Sequence, residues 1–104
     1  MDYLKIKNTK DELNLAINFG YVDRVAQVFN FKTNKPQNLT AYKLSLDIEN
    51  TDRKTLHELE EIIRTENKIV NAVVSLDGII SQGKAKIAQM FSFDGISYDV
   101  EVIN

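Results

Sequence analysis

The amino-acid sequence predicts an α+β fold: a curved antiparallel sheet or small barrel of six to eight strands, with one amphipathic helix between the N-terminal and C-terminal strands. Three observations support it. Apolar residues alternate with period two along most of the chain, as strands with one buried face require. Helical spacing is confined to residues 53–66. The phrase Ser75-Leu76-Asp77-Gly78-Ile79 returns as Ser92-Phe93-Asp94-Gly95-Ile96. Asp-Gly between apolar residues marks a two-residue hairpin turn, because both central positions need positive φ, which Asp tolerates and Gly adopts freely.

Residues 3–7 alternate weakly and predict a short edge strand with Lys5 and Lys7 facing water. From Glu12, Leu13, Leu15, Ile17 and Phe19 share one parity, a half-buried strand expected to end at Gly20. Residues 22–32 form a further strand whose apolar parity changes between Val25 and Val28, the mark of a β-bulge. Residues 33–40 hold the only proline, Pro36, among polar residues and read as a surface loop. Tyr42, Leu44, Leu46 and Ile48 then alternate with polar neighbours as another strand.

Asn50-Thr51-Asp52 can each cap a helix start, and Leu56, Leu59, Ile62 and Ile63 follow at helical spacing, so this face should be buried. Glu60 and Arg64 are spaced for an ion pair, and Asn67 provides a stop. Residues 69–76 predict a central strand, Gln82-Gly83-Lys84 a turn, residues 85–93 a strand, and Ile96, Tyr98, Val100 and Val102 the last one. All four glycines fall at predicted reversals.

The 104 residues make one domain, 1–104, with a single core. Hydrophobic residues at 43% and charged residues at 27% are ordinary globular usage and argue against disorder. The formal charge of −2 provides no general field toward nucleic acid or anionic lipid. The absence of cysteine excludes disulfides, thiolate nucleophiles and cysteine-ligated metal. The N-terminal residues lack the apolar run of an export signal and no window is long enough to span a bilayer, so the expectation is a cytoplasmic protein, or one assembled into a virion from host cytoplasm. On that expectation Asn38-Leu39-Thr40 matches the glycosylation pattern by chance.

Catalytic patterns are incomplete. His57-Glu58-Leu59-Glu60-Glu61 lacks the second histidine of a helical zinc site, and the chain has no other imidazole. Glu58, Glu60 and Glu61 follow helix spacing on a polar face, where carboxylates are solvated. There is no Gly-x-Ser-x-Gly elbow and no phosphate-binding glycine loop. The expectation is no enzyme, no cofactor and no metal.

Tyr21, Arg24, Phe29, Phe31, Lys32, Tyr42 and Lys43 interleave aromatic and basic residues across adjacent strands, as in faces that stack bases and follow phosphates. The order of strands, helix, strands is also that of an OB-like barrel. The acidic balance favours the simpler reading, in which Phe29 and Phe31 are core and the lysines solubilise edges. Glu58, Glu61 and Arg64 offer a polar helix face for a partner.

Residues 29–33 and 38–48, with the aromatic strand ending in Thr33 and the Asn38-Leu39-Thr40-Ala41 turn, resemble the start of the N-terminal sandwich domain of baseplate upper proteins from phages of Gram-positive bacteria. Residues 83–93 are loosely similar as well, whereas the helix departs from that all-β pattern. The resemblance implies a virion scaffold role without catalytic residues. The combined expectation is a non-catalytic interaction protein of phage or mobile-element origin, either an assembly component or a stoichiometric inhibitor of a host protein. A single-stranded nucleic-acid binder is the alternative. A protein partner is expected, a homo-oligomer is open, and no membrane is implied.

Overall fold

The computed structural model describes residues 1–7, 11–65, 68–92 and 95–104. Six strands and one helix follow in the order β1 (Tyr3–Lys7), β2 (Glu12–Asn30), β3 (Lys35–Leu46), α1 (Arg53–Arg64), β4 (Val70–Leu76), β5 (Ile79–Ser92) and β6 (Gly95–Ile103). The strands close into a barrel in the order β1-β2-β3-β6-β5-β4, with every neighbouring pair antiparallel. It is built from two consecutive meanders, β1-β2-β3 and β4-β5-β6, joined through β3 to β6 and β1 to β4.

Alternation drives the closure, because one parity of each strand must leave water and only the barrel interior takes all six sets. Leu4 and Ile6 of β1, Leu13, Leu15 and Ile17 of β2, and Tyr42, Leu44 and Leu46 of β3 are buried. Ala72, Val74 and Leu76 of β4, Ala85 and Ile87 of β5, and Tyr98, Val100 and Val102 of β6 complete the cluster. β1 is no edge strand. Its register runs from Tyr3 opposite Ala16 of β2 and Ser75 of β4 to Lys7 opposite Glu12 and Asn71, so it is the seam of the barrel.

β2 does not stop at Gly20 but runs 19 residues to Asn30. Its register against β3 shifts between Ile17 and Phe19 and again between Val22 and Arg24, and not between Val25 and Val28. Each shift flips the faces beyond it, so the first passes inward parity from Ile17 to Gly20 and Val22, the latter opposite the buried Tyr42, and the second passes it to Val25, opposite Thr40. A Cβ on Gly20 would sit 2.6 Å from a Leu44 methyl, so this glycine serves close packing and not a reversal. The expected loop at 33–40 shrinks to residues 31–34, with Asn34 at φ 58 and β3 resuming at Lys35. Pro36 is tolerated inside β3. Asn38, two residues on, exchanges backbone bonds with Asn104, but pairing of β3 with β6 begins only at Leu39, so the missing N–H of Pro36 faces no strand.

Asp77 and Gly78 adopt φ 53 and 80 between paired Leu76 and Ile79, the two-residue turn expected of Asp-Gly. Asp94 lies outside the described residues, while Gly95 opens β6 at φ 124. No turn forms at Gln82-Gly83-Lys84. β5 runs straight through it, and a Cβ on Gly83 would overlap the Ile103 carbonyl oxygen. Thus two of the four glycines mark reversals, and two mark close packing, Gly20 against a side chain and Gly83 against backbone.

The helix begins at its expected residue because the Asp52 carboxylate accepts the Thr55 N–H at 2.7 Å. That bond holds the Asp52 carboxyl below its usual value of 3.8. The helix ends at Arg64, short of residue 66, with Thr65 closing it by donating its N–H to the Glu61 carbonyl; the expected stop at Asn67 lies outside the described residues. Leu59 and Ile62 are buried, whereas Leu56 and Ile63 are half-buried. Arg64 pairs with Glu61 at 3.1 Å, not with Glu60.

Candidate interaction surface

Beyond Ile17, whose N–H still bonds the Asp2 carbonyl, no described residue pairs with the second edge of β2. Residues 19–30 therefore hydrogen-bond to β3 alone; up to Ala26 their β3 partners still pair with β6, and beyond it the two strands run on as a hairpin that leaves the barrel. A row of backbone groups without a strand partner is a template for another strand. This edge is also apolar, with Phe19, Tyr21, Val22, Val25 and Phe29 exposed and Phe31 at 87% in the turn.

Register assigns these side chains to two faces. Val22, Val25 and Phe29 lie opposite Tyr42, Thr40 and Pro36, on the face that continues the barrel interior. Tyr21 and Arg24 lie opposite Lys43 and Ala41 on the outer face. The Phe29 and Phe31 rings meet edge to face at 5.0 Å, and the Phe19 and Tyr21 rings lie tilted by 60° at 6.2 Å, so the arm carries an aromatic pair toward each end. Within residues 19–43, Arg24, Lys32, Lys35 and Lys43 outnumber the single carboxylate, Asp23, but β6 supplies Glu101 to Arg24 and Asp99 to Lys43, so the basic charge of the arm concentrates at its tip, at Lys32 and Lys35.

Five of the seven residues expected on an aromatic-basic face, Tyr21, Arg24, Phe29, Phe31 and Lys32, sit exposed on this arm. Tyr42 does not. It is 4% exposed and belongs to the core, because it shares the inward parity of Leu44 and Leu46 along β3 and lies opposite the buried Val100 of β6. Lys43 is half-buried and bonds Asp99 at 3.2 Å; that hydrogen bond and the adjacent charge raise its pKa above 10.5. The simpler reading of Phe29 and Phe31 as core residues is overturned, since both lie past the last barrel pairing of β2. Phe19, expected on the buried parity of Leu13, Leu15 and Ile17, is 66% exposed because the register shift after Ile17 turns it to the outer face, and Val22 and Val25 were not expected on a binding face. Their signal was a long apolar run with more apolar positions than one buried face can use.

The polar helix face is a separate element. Glu61 and Arg64 pair with each other on its exposed side, Glu58 is half-buried, and His57 is exposed. Between the helix and β6, Ile48, Leu56, Leu59, Ile63, Ile96 and Tyr98 line an open cleft of about 540 Å³. Burial pushes the Tyr98 phenol above 10.0, with the nearby Glu60 carboxylate adding to the shift and a hydrogen bond with Gln89 opposing it. Among the described residues, no three His, Asp or Glu side chains converge to hold a metal. No described helix is long and apolar enough to cross a membrane.

Comparison with known proteins finds no family model, no curated protein and no solved structure that matches this chain.

Proposed function

We propose that the protein is a non-catalytic interaction module that offers the bare edge of β2 to a partner strand. The observation that carries this reading is the twelve-residue stretch, 19–30, paired on one side only and lined by exposed apolar side chains. Strand addition draws affinity from main-chain hydrogen bonds and specificity from alternate side chains, and this arm supplies both. The biological setting proposed is a phage or mobile element, with the chain serving as a virion assembly component or as a stoichiometric inhibitor in host cytoplasm. The resemblance of residues 29–33 and 38–48 to a baseplate domain favours the first, and those residues form the tip and returning strand of the arm.

Affinity capture with the wild-type chain and with Val22→Lys/Val25→Lys tests the reading. One partner should be retained by the wild type, be lost by the variant, and bind one-to-one when purified and titrated calorimetrically. Equal retention by both proteins would remove the edge from the function.

A second reading, single-stranded nucleic-acid binding, is favoured by one observation: the exposed Phe29 and Phe31 rings stand beside Lys32 and Lys35. Stacking on exposed rings is worth about 1–3 kcal/mol per base. The six-stranded double meander departs from the five-stranded OB order, which weakens the analogy. Gel-shift titration with an oligonucleotide at two salt concentrations decides it. Salt-sensitive binding lost in Phe31→Ala would establish this reading, and no shift at either salt would end it.

A further inference from the structure

We propose that the edge of β2 takes a second copy of this chain, the two β2 strands pairing antiparallel about a two-fold axis beside Asp23 and Arg24. This rests on the reading above, that the edge is an interaction surface, and names its occupant. The stretch Val22-Asp23-Arg24-Val25 is self-complementary when reversed. Set against itself, Val22 meets Val25 of the second copy, Tyr21 meets Ala26, Phe19 meets Val28, and Asp23 of each copy meets Arg24 of the other.

In a regular strand this pairing would fail. Val22 and Val25 have opposite parity, and a two-fold axis normal to the sheet must match residues on one face. The register shift between Val22 and Arg24 removes the conflict. With one extra residue there, Val22 and Val25 fall on the same face, opposite Tyr42 and Thr40, while Phe19, Tyr21, Ala26 and Val28 share the outer one. Bulges usually protect an edge, but this one brings the strand into register with its own reverse.

Charge points the same way. No salt bridge reaches Asp23 among the described residues, and Arg24 holds Glu101 only at 3.8 Å, with its side chain 60% exposed. Two Asp23–Arg24 pairs across the axis would complement each other at the centre of an otherwise apolar strip. A foreign strand has no such built-in match, which is why the second copy is the chosen occupant.

Charge exchange tests this with little risk to folding, because both residues are exposed. Sedimentation velocity over a micromolar concentration series should show a dimer for the wild type. Asp23→Arg and Arg24→Asp should each weaken it by about tenfold or more through like-charge contact. The double exchange, Asp23→Arg/Arg24→Asp, should restore the wild-type affinity. The chain has no cysteine, so an equimolar mixture of Val22→Cys and Val25→Cys chains under mild oxidation should form the mixed disulfide well above the twofold excess over each homodimer that random pairing gives.

A wild-type monomer throughout the series, an exchange that does not restore, or the three disulfides in the 1:2:1 ratio of random pairing would overturn the proposal. Failure of this inference is separable from failure of the wider one. A monomer whose foreign partner is lost in Val22→Lys/Val25→Lys ends self-pairing and keeps the interaction module, with a foreign strand as occupant. A dimer obeying the charge exchange, with no foreign partner captured, keeps self-pairing and ends the foreign-partner reading.

Discussion

One strand meets two fates in this protein. Leu13, Leu15 and Ile17, in the first part of β2, are at most 8% exposed, while Phe19, Tyr21, Val22, Val25 and Phe29 further along are between 47% and 69% exposed. Hydrophobicity does not separate the two parts, since the second is at least as apolar. Nor does strand pairing, since the first part pairs with β1 and the second with β3. Cover does: Leu13, Leu15 and Ile17 lie in the buried cluster with residues of the other five strands and of α1, while the apolar side chains of the second part lie outside it. Alternation in sequence shows that a segment will pair, but not that a second sheet face or strand will arrive to cover it.

The contrast can be tested most severely by truncation. Leu15→Ala should destabilise the fold by roughly 2–5 kcal/mol, the range for emptying a well-packed core site. Val25→Ala should stay within ~0.5 kcal/mol, as for exposed positions. Urea unfolding at low protein concentration measures both, and comparable losses would show that the arm is packed in solution.

The next effect concerns the two glycines that hold strands close. Gly83→Ala should cost about 1–3 kcal/mol, because the new methyl meets the Ile103 backbone, which belongs to a paired strand. Gly20→Ala should cost less, since the nearest atom is a Leu44 side-chain methyl that can turn aside. Thermal unfolding of the pair ranks them, and the reverse order would show that the β2 side of the barrel is the more tightly held.

At the β4–β5 turn, Gly78→Ala at φ 80 should lose roughly 1–2 kcal/mol, as a side chain in the left-handed region does. Asp77→Asn should be nearly neutral, because Asn tolerates the same backbone.

The smallest effects are those of pH. The Lys43 pKa is raised by Asp99, so its contribution is complete below 10.5 and is lost as pH rises through the higher folded value. The Tyr98 shift acts in the same direction above 10.0. The Asp52 carboxyl is lowered, so its contribution is present above 3.8 and is lost as pH falls through the folded value. Melting temperature against pH should therefore fall at both ends. Lys43→Met should flatten the alkaline limb, and Asp52→Asn the acid one.

Much of the barrel was legible in the sequence. Leu4, Ile6, Leu44, Val74 and Val100 occupy inward positions of regular strands, and Asp52 and the Asp77-Gly78 turn carry local signals that tertiary contacts do not override. What was hidden arises where distant chain segments meet. Gly83 looks like a turn residue until the Ile103 backbone is placed against it, and the length of β2 is masked by two register shifts that break its parity. The site was half legible. Tyr21, Arg24, Phe29, Phe31 and Lys32 were found by residue type, while Tyr42 was grouped with them although its alternation with Leu44 and Leu46 places it on the buried face of β3.

The seam at β1 has a kinetic consequence. Tyr3 must find Ser75, so sealing the cylinder requires a loop spanning most of the polypeptide to close. Loop entropy disfavours such distant pairing until local hairpins exist. During synthesis the first three strands leave the ribosome with both outer margins unsatisfied, and only the later arrival of β4 and β6 separates the margins destined for the interior from the one that stays open.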